Sequence, residues 1–129
     1  MHKINVKVDP GSYTPKRASA GSAGYDLHTP VPIRLFPGER ITVKLGIYFN
    51  IPEGLEGQIR PRSGLAANHG ITVLNTPGTI DSDYEGEIGV ILLNTSETPY
   101  EADIGHRIAQ IVFARVPNVM LIANELDEL

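Results

Sequence analysis

The sequence predicts an all-β fold of the sandwich, barrel or jelly-roll kind. Apolar residues recur at alternate positions in several short stretches, as expected for strands with one buried face. Turn-forming residues separate these stretches and are abundant, with 13 Gly and 10 Pro in 129 residues. Patterns with the helical period are scarce. Many short strands at close spacing are typical of sheets that pack face to face or close on themselves.

The strand-like stretches follow one another along most of the chain. The first covers residues 4–8, and the longest covers residues 40–51 with apolar residues at every second position. Further strands are expected at 55–60, 71–75, 87–94 and 107–116. Residues 63–70 are the candidate for a short helix, with Ser63 as its N-cap and Gly70 as its end.

Length, charge and cysteine content limit the possible classes of protein. A chain of this length is expected to form one domain, residues 1–129, with a core that needs no disulfide or metal. The absence of cysteine excludes a disulfide-built secreted fold and a zinc deaminase. It fits a cytoplasmic setting, or a nuclear or organellar one in a eukaryote. A net charge of −4 argues against polymeric nucleic acid as a partner, and no apolar run is long enough to span a membrane.

Two stretches in the first half of the chain carry residues suited to phosphate chemistry. In residues 20–27, glycines allow the backbone to lie close to another group, and Asp26 could bind a hydrated cation. The alternative is a surface turn. In residues 60–66, a helix start offers N–H groups to an anion, Ser63 adds a hydroxyl, and Arg62 adds a planar donor fork. The alternative is a capped helix with an exposed arginine.

The third stretch follows the predicted helix and contains two acids. Pro77-Gly78 suits the centre of a type II turn, which predicts a hairpin over residues 71–82 with exposed backbone at its bend. In a strand, Asp81 and Asp83 would point to the same face, and one could accept a proton from water. The alternative is a solvated acidic strand end followed by Tyr84 in the core.

The fourth stretch, residues 105–113, has the pattern of a buried strand with polar residues at its entrance. Arg107 and Gln110 could reach a phosphate or a metal-bound water, and an ordinary strand is the alternative. Three histidines show no metal-binding spacing and are interpreted as structural or surface residues: His28, His69 and His106.

Together and in this order, the four stretches resemble the motifs of the homotrimeric dUTP pyrophosphatase (dUTPase) family. The resemblance covers residues 18–114 and rests on Gly24-Tyr25-Asp26-Leu27, Pro61-Arg62-Ser63-Gly64-Leu65, Gly78-Thr79-Ile80-Asp81-Ser82-Asp83-Tyr84 and Gly105-His106-Arg107-Ile108-Ala109-Gln110. It implies a distorted jelly roll or barrel-like sandwich with one short helix, in a trimer with active sites between subunits. It also implies Mg²⁺-dependent hydrolysis of dUTP to dUMP and pyrophosphate, which keeps uracil out of DNA and supplies dUMP for thymidylate synthesis.

The resemblance further implies roles for individual residues. Asp81 would orient or deprotonate the attacking water. Tyr84 would pack against the deoxyribose and leave no room for a 2′-hydroxyl, and Asn75 with the hairpin backbone would bind uracil. Asp26 and Gln110 would contact waters on magnesium. The other residues expected to bind the substrate are Arg62, Ser63, Gly64, Gly78, Thr79, Ile80 and Arg107, and Gln110 also belongs to this group.

The family usually ends in a glycine-rich arm that carries an arginine, an aromatic residue and a small hydroxyl residue. Residues 124–129 show no such arm, so this polypeptide is expected to keep the nucleotide-site chemistry but to turn over weakly. Two other functions stay open: a dUTP-binding or regulatory module of weak activity, and a dCTP deaminase relative. Asp81 counts against the binding module, which needs no general base. Asp81-Ser82-Asp83-Tyr84 and the run from Pro61 to Leu65 fit the pyrophosphatases better than the deaminase.

Overall fold

The computed structural model describes residues 1–128, and these residues form eleven β-strands, one α-helix and a short 3₁₀ turn. The strands are β1 (Asn5–Val8), β2 (Gly24–His28), β3 (Ile33–Leu35), β4 (Arg40–Lys44), β5 (Ile47–Asn50), β6 (Leu55–Arg60), β7 (Ile71–Val73), β8 (Gly78–Ile80), β9 (Gly89–Asn94), β10 (Tyr100–Ala102) and β11 (Arg107–Arg115). The helix α1 spans Ser63–His69, and the 3₁₀ turn spans Leu126–Glu128.

The strands pair antiparallel in four small sheets around a shared core. Their orders are β1-β5, β3-β10, β2-β11-β6-β8 and β4-β9-β7. Residues alternate between buried and half-buried along β6 and β9, as the apolar period of two predicts. The fully buried side chains include Leu27, Val90, Leu92 and Ile111. This arrangement is a distorted jelly roll, as expected from the sequence.

The predicted strands at 4–8, 55–60, 87–94 and 107–116 are confirmed within two residues at each end, whereas the long strand over 40–51 is two strands. The chain bends at Gly46, whose φ of 66° lies in the left-handed region. The Gly46 N–H donates to a Glu87 carboxylate oxygen at 2.9 Å. As a result β4 pairs with β9 and β5 pairs with β1, although the alternation of apolar residues continues across the bend.

The predicted hairpin over residues 71–82 is wrong. Strand β7 pairs with β9 and β8 pairs with β6, so the chain passes from one sheet to another between them. The Thr76-Pro77 peptide bond is cis, and Gly78 has no positive φ, so the connection is not a type II turn. Gly78 instead begins β8 as a buried residue.

The helix lies where the sequence predicts it, but its start differs. Arg62, not Ser63, is the N-cap residue, and its side chain makes no capping hydrogen bond among the described residues. Ser63 is the first helical residue, so its hydroxyl is not used in capping. Gly70 ends the helix in the left-handed conformation, with its N–H donating to the carbonyl of Ala66.

Two properties of the described residues bear on the fold as a whole. Asn94 is a buried polar side chain whose Nδ2 donates to the carbonyls of Leu35 and Thr98, each at 2.9 Å, and this satisfies its amide inside the core. Within residues 1–128, no helix is long and apolar enough to cross a membrane.

Candidate functional site

The sheet β2-β11-β6-β8 brings the first, second and fourth sequence stretches together. Asp26 of β2 lies opposite Gln110 of β11, and Gln110 lies opposite Arg60 of β6. The chain leaves β6 directly into the start of α1, which places Arg62 beside this row. The resulting phosphate pocket is lined by Ala18, Ser22, Ala23, Gly24, Asp26, Arg62, Ser63, Gly64, Arg107 and Gln110.

A β-bulge in β11 puts two of these side chains into the same pocket. Arg107 pairs with His28 and Ala109 pairs with Leu27, so Ile108 is an extra residue in the ladder. Ile108 and Ala109 are both buried. In a regular strand, residues three apart point to opposite faces, but the bulge lets Arg107 and Gln110 both line the pocket. Alternation in the sequence does not reveal this shift.

Two arginines surround the carboxylate of Asp26. The distance from Asp26 Oδ1 to Arg62 Nε is 3.6 Å, and the distance from Asp26 Oδ2 to Arg107 Nη1 is 3.8 Å. Arg62 Nη1 also donates to the Arg107 carbonyl at 3.3 Å. Two guanidinium groups against one carboxylate leave an excess of positive charge at these three side chains. Such a pocket suits an anion with several oxygens.

Gly24 holds open the space that the Gln110 side chain occupies. A Cβ atom at Gly24 would lie 2.1 Å from Gln110 Oε1, and the Gln110 Nε2 donates to the Pro61 carbonyl at 3.0 Å. The sequence indicated that backbone near this glycine lies close to another group, and the structure identifies the group as Gln110. Gly24 is therefore a residue of this pocket that the sequence-based list of site residues did not include. The feature that could have revealed it is a glycine two residues before Asp26.

The third stretch forms a separate exposed group around Asp81. Asp81 follows β8 and begins a turn in which the Tyr84 N–H donates to the Asp81 carbonyl at 3.1 Å. The expectation that Asp81 and Asp83 share one face of a strand is therefore wrong. Tyr84 is 44% exposed, not in the core, and its hydroxyl donates to the Glu87 carbonyl at 2.8 Å.

Asn75 lies in the turn between β7 and β8. Its side chain is exposed, and its Nδ2 would be 3.2 Å from a Cβ atom at Gly78. Thr79 is exposed and Ile80 is half-buried, and both take part in the ladder with β6. Asn75 and the backbone of β8 are therefore neighbours on one chain.

Asp81 is remote from the phosphate pocket of its own chain. Ile80 pairs with Gly57, so Asp81 lies at the level of Glu56, whereas Gln110 lies at the level of Arg60. Four residues along a strand correspond to about 13 Å. Asp81 borders a different cleft, whose lining includes Glu53, Gly54, Asp83 and Asn118. The structure thus groups Asp26, Arg62, Ser63, Gly64, Arg107 and Gln110, and it leaves Asp81 apart.

The side chains of the phosphate pocket are compatible with a magnesium ion that takes most of its ligands from outside the chain. Within residues 1–128, no three acidic, histidine or cysteine side chains gather to form a metal cage. The pocket instead offers the Asp26 carboxylate, with the Gln110 side chain beside it. Magnesium commonly keeps several waters and takes one or two carboxylates together with phosphate oxygens. A single acid is therefore compatible with this ion.

The fold and the pocket define an all-β protein with a positively charged pocket that suits an anion. Sequence comparison identifies the family within this class. The sequence profile of the dUTPase family matches residues 12–128. The chain belongs to the dUTPase family.

Several relatives are deoxyuridine 5′-triphosphate nucleotidohydrolases from bacteria. The protein of Wolbachia pipientis subsp. Culex pipiens is 53% identical over 98% of this chain and 86% of its own length. That of Wolbachia pipientis wMel is 56% identical over 92% of this chain and 82% of its own. The protein of a Picosynechococcus species is 48% identical over 90% of this chain and 82% of its own length.

Solved structures with the same fold include two phage dUTPases. The Staphylococcus bacteriophage 80alpha dUTPase with dUPNHPP has a TM-score of 0.90 and 25% identity, covering 97% of this chain and 89% of that one. A mutant dUTPase from phage phi11 of S. aureus, which coordinates a structural Mg(II) ion, has a TM-score of 0.87 and 23% identity. It covers 99% of this chain and 100% of that one. These similarities confirm the predicted jelly-roll fold.

Proposed function

We propose that this protein hydrolyses dUTP to dUMP and pyrophosphate, acting as a dUTP diphosphatase. The observation that carries the proposal is the identity of about one half to deoxyuridine 5′-triphosphate nucleotidohydrolases over at least nine tenths of the chain. The presence of an exposed acid at position 81 agrees with it, because a binding module has no need of a general base.

The phosphate pocket is proposed to hold the triphosphate. Arg62 and Arg107 supply the positive charge, and the Ser63 hydroxyl and the Gly64 backbone add donors at the start of α1. Asp26 and Gln110 would hold a magnesium ion through its waters. When bound, this ion neutralises phosphate charge and favours in-line attack.

The connection into β8 is proposed to select the base. The Asn75 side chain and the backbone of Gly78, Thr79 and Ile80 pair with the edge of uracil. Cytosine exchanges an acceptor for a donor on that edge and would leave buried polar groups unpaired, which gives strong discrimination. Tyr84 packs its ring against the deoxyribose and excludes a 2′-hydroxyl. Its hydrogen bond to the Glu87 carbonyl supports this role by fixing the ring.

Asp81 is proposed to act as the general base. Its carboxylate accepts a proton from a water that attacks the α-phosphorus. A bond forms between that water oxygen and the α-phosphorus. The bond from the α-phosphorus to the bridging oxygen breaks, and pyrophosphate leaves with the electron pair.

A complete site then requires a second copy of the chain, since Asp81 and the phosphate pocket lie at opposite ends of one sheet. We propose a homotrimer in which Asp81 of one subunit faces the phosphate pocket of another. The segment after β11 supports association because it exposes a run of apolar side chains that a partner would cover. These are Val116, Val119, Met120, Leu121, Ile122 and Leu126.

The decisive experiment replaces Asp81 by asparagine and measures pyrophosphate release from dUTP with magnesium. We expect Asp81→Asn to lower kcat by about 10²- to 10⁴-fold, because general base catalysis contributes that much. Binding of dUPNHPP should be retained. Asp83→Asn is the matched control, and its rate should stay close to that of the unchanged protein.

Three outcomes would contradict the proposal in different ways. Near-normal turnover by Asp81→Asn would show that another group is the base. Tight dUTP binding without any pyrophosphate release in the unchanged protein would favour a binding or regulatory module. Release of ammonia from dCTP would favour a deaminase.

A further inference from the structure

A second cleft lies beside the phosphate pocket and shares two arginines with it. It has a volume of about 430 Å³ and is bordered by the ends of β2 and β11, by β10 and by α1. Its polar lining consists of His28, Arg62, Tyr100, His106 and Arg107, and no described acidic residue lines it. Arg62 and Arg107 also line the phosphate pocket, so the two cavities are neighbours.

We propose that this cleft is a second oxyanion site, which binds a phosphate-type anion and shares Arg62 and Arg107 with the phosphate pocket. The proposal uses the proposed function only for the assignment of the neighbouring pocket to nucleotide phosphates. Its own basis is the set of hydrogen-bond donors that face the cleft.

Tyr100 supplies the first donor. The residue is only 7% exposed, but its hydroxyl is not one of the described buried atoms that lack a partner, so the hydroxyl is reached by solvent in the cleft. A buried tyrosine usually finds a partner for its hydroxyl. Burial raises the pKa of Tyr100, and the nearby Arg62 charge opposes that shift without cancelling it, so the hydroxyl keeps its proton. An anion in the cleft would complete the hydrogen bonding of this group.

His28 supplies the second donor. Its Nδ1 is buried without a partner in the described part of the chain, and the residue lines the cleft. A neutral ring that carries its proton on Nε2 leaves an acceptor, not a donor, at the buried Nδ1. It also offers an N–H to the cleft.

Arg62 and Arg107 supply positive charge. Asp26 contacts both arginines but lies in the phosphate pocket, so it does not line the cleft. His106, which is exposed, adds a further polar group at the rim. The donors come from three strands and from the segment before α1, so an anion in the cleft can be contacted from several sides.

The test measures the binding of inorganic phosphate and of pyrophosphate by calorimetry, without magnesium or nucleotide. Tyr100→Phe removes only the hydroxyl, and we expect it to weaken one class of phosphate binding about tenfold, the usual loss for a hydrogen bond to a charged group. His28→Leu should weaken the same class. Tyr48→Phe is the matched control, because its hydroxyl bonds to Asp9 far along the chain from this cleft, and its binding should be unchanged.

Ser63→Ala separates the cleft from the neighbouring pocket. Ser63 lines the phosphate pocket but not the cleft, so this variant should retain the class of binding that Tyr100→Phe weakens. The proposal is overturned if Tyr100→Phe and His28→Leu bind phosphate as the unchanged protein does. It is also overturned if Ser63→Ala removes all phosphate binding, or if the unchanged protein binds neither anion. These readouts do not involve hydrolysis, so they stand apart from the failure or success of the proposed function.

Discussion

At the scale of single residues, the site depends on side chains that are positioned by contacts outside the reaction. Gln110 is held by the Pro61 carbonyl and lies across Gly24, while Tyr84 is held by the Glu87 carbonyl. Variants that disturb these supporting contacts should act differently from variants of the reacting groups, because the reacting groups themselves remain present.

Gly24→Ala should displace Gln110 without unfolding the protein. The new Cβ would lie 2.1 Å from Gln110 Oε1, which is the end of a flexible side chain and can move. We expect kcat/KM for dUTP to fall about tenfold, the value of one lost hydrogen bond. The free energy of unfolding should change by less than about 1 kcal/mol. The control is Gly21→Ala, where no atom lies within 4 Å of the added Cβ, and both measurements should be unaffected.

Replacing Tyr84 tests the proposed sugar filter. Tyr84→Ala removes the ring, and we expect the ratio of kcat/KM for dUTP over UTP to fall at least tenfold, because a hydroxyl then fits where the ring had been. Tyr84→Phe keeps the ring and loses only the hydrogen bond to Glu87, so its selectivity should fall less than that of Tyr84→Ala. Equal selectivity in Tyr84→Ala and the unchanged protein would place the filter elsewhere.

At the scale of secondary structure elements, alternation predicted the strands whose one face is buried. It failed where a strand changes sheets without changing its period, as at Gly46, and where strands are short or mostly half-buried, as in β2 and β8. The hairpin prediction over residues 71–82 failed because the Pro77-Gly78 pair fits a local turn. In the structure, β7 and β8 pair with strands of different sheets, so they cannot form a hairpin with each other.

The end of α1 gives a prediction about stability. Gly70 is left-handed, with a φ of 65°, and an added Cβ would meet Thr95 Oγ1 at 2.9 Å. We expect Gly70→Ala to lower the free energy of unfolding by about 1 to 2 kcal/mol, measured by urea denaturation. Gly64→Ala lies inside the same helix with no atom within 4 Å. It should leave stability unchanged or raise it by up to about 1 kcal/mol. The same loss in both variants would mean that the backbone conformation at Gly70 is not the cause.

At the scale of the whole molecule, the resemblance names candidate site residues but does not show how they are distributed over the fold. The resemblance placed Asp81 and Arg62 in one active site, and nothing in their spacing shows that register sets them about 13 Å or more apart within a chain. That separation depends on the pairing of β6 with both β8 and β11. Long-range pairing of this kind has no local signal in the sequence.

Mixing two inactive variants tests the shared site. A trimer built only of Asp81→Asn chains would have no intact site, and neither would a trimer built only of Arg62→Ala chains. The two variants are unfolded together and reassembled in equal amounts. A site in a mixed trimer is then intact when an Asp81→Asn chain supplies Arg62 and an Arg62→Ala chain supplies Asp81. We expect about one quarter of normal dUTPase activity to return. No recovery, in mixtures shown by mass analysis to contain both chains, would place both residues in a site within one subunit.

The extra residue in β11 has a further consequence for how this strand can change. Before the bulge the pocket-facing position is odd-numbered, at Arg107, and after it the position is even-numbered, at Gln110. Substitutions can alter either side chain separately. Removal of Ile108 would leave Arg107 and Gln110 two residues apart in a regular strand, so both side chains would still point to the pocket. The bulge thus accommodates one extra residue in β11 and keeps both side chains in the pocket.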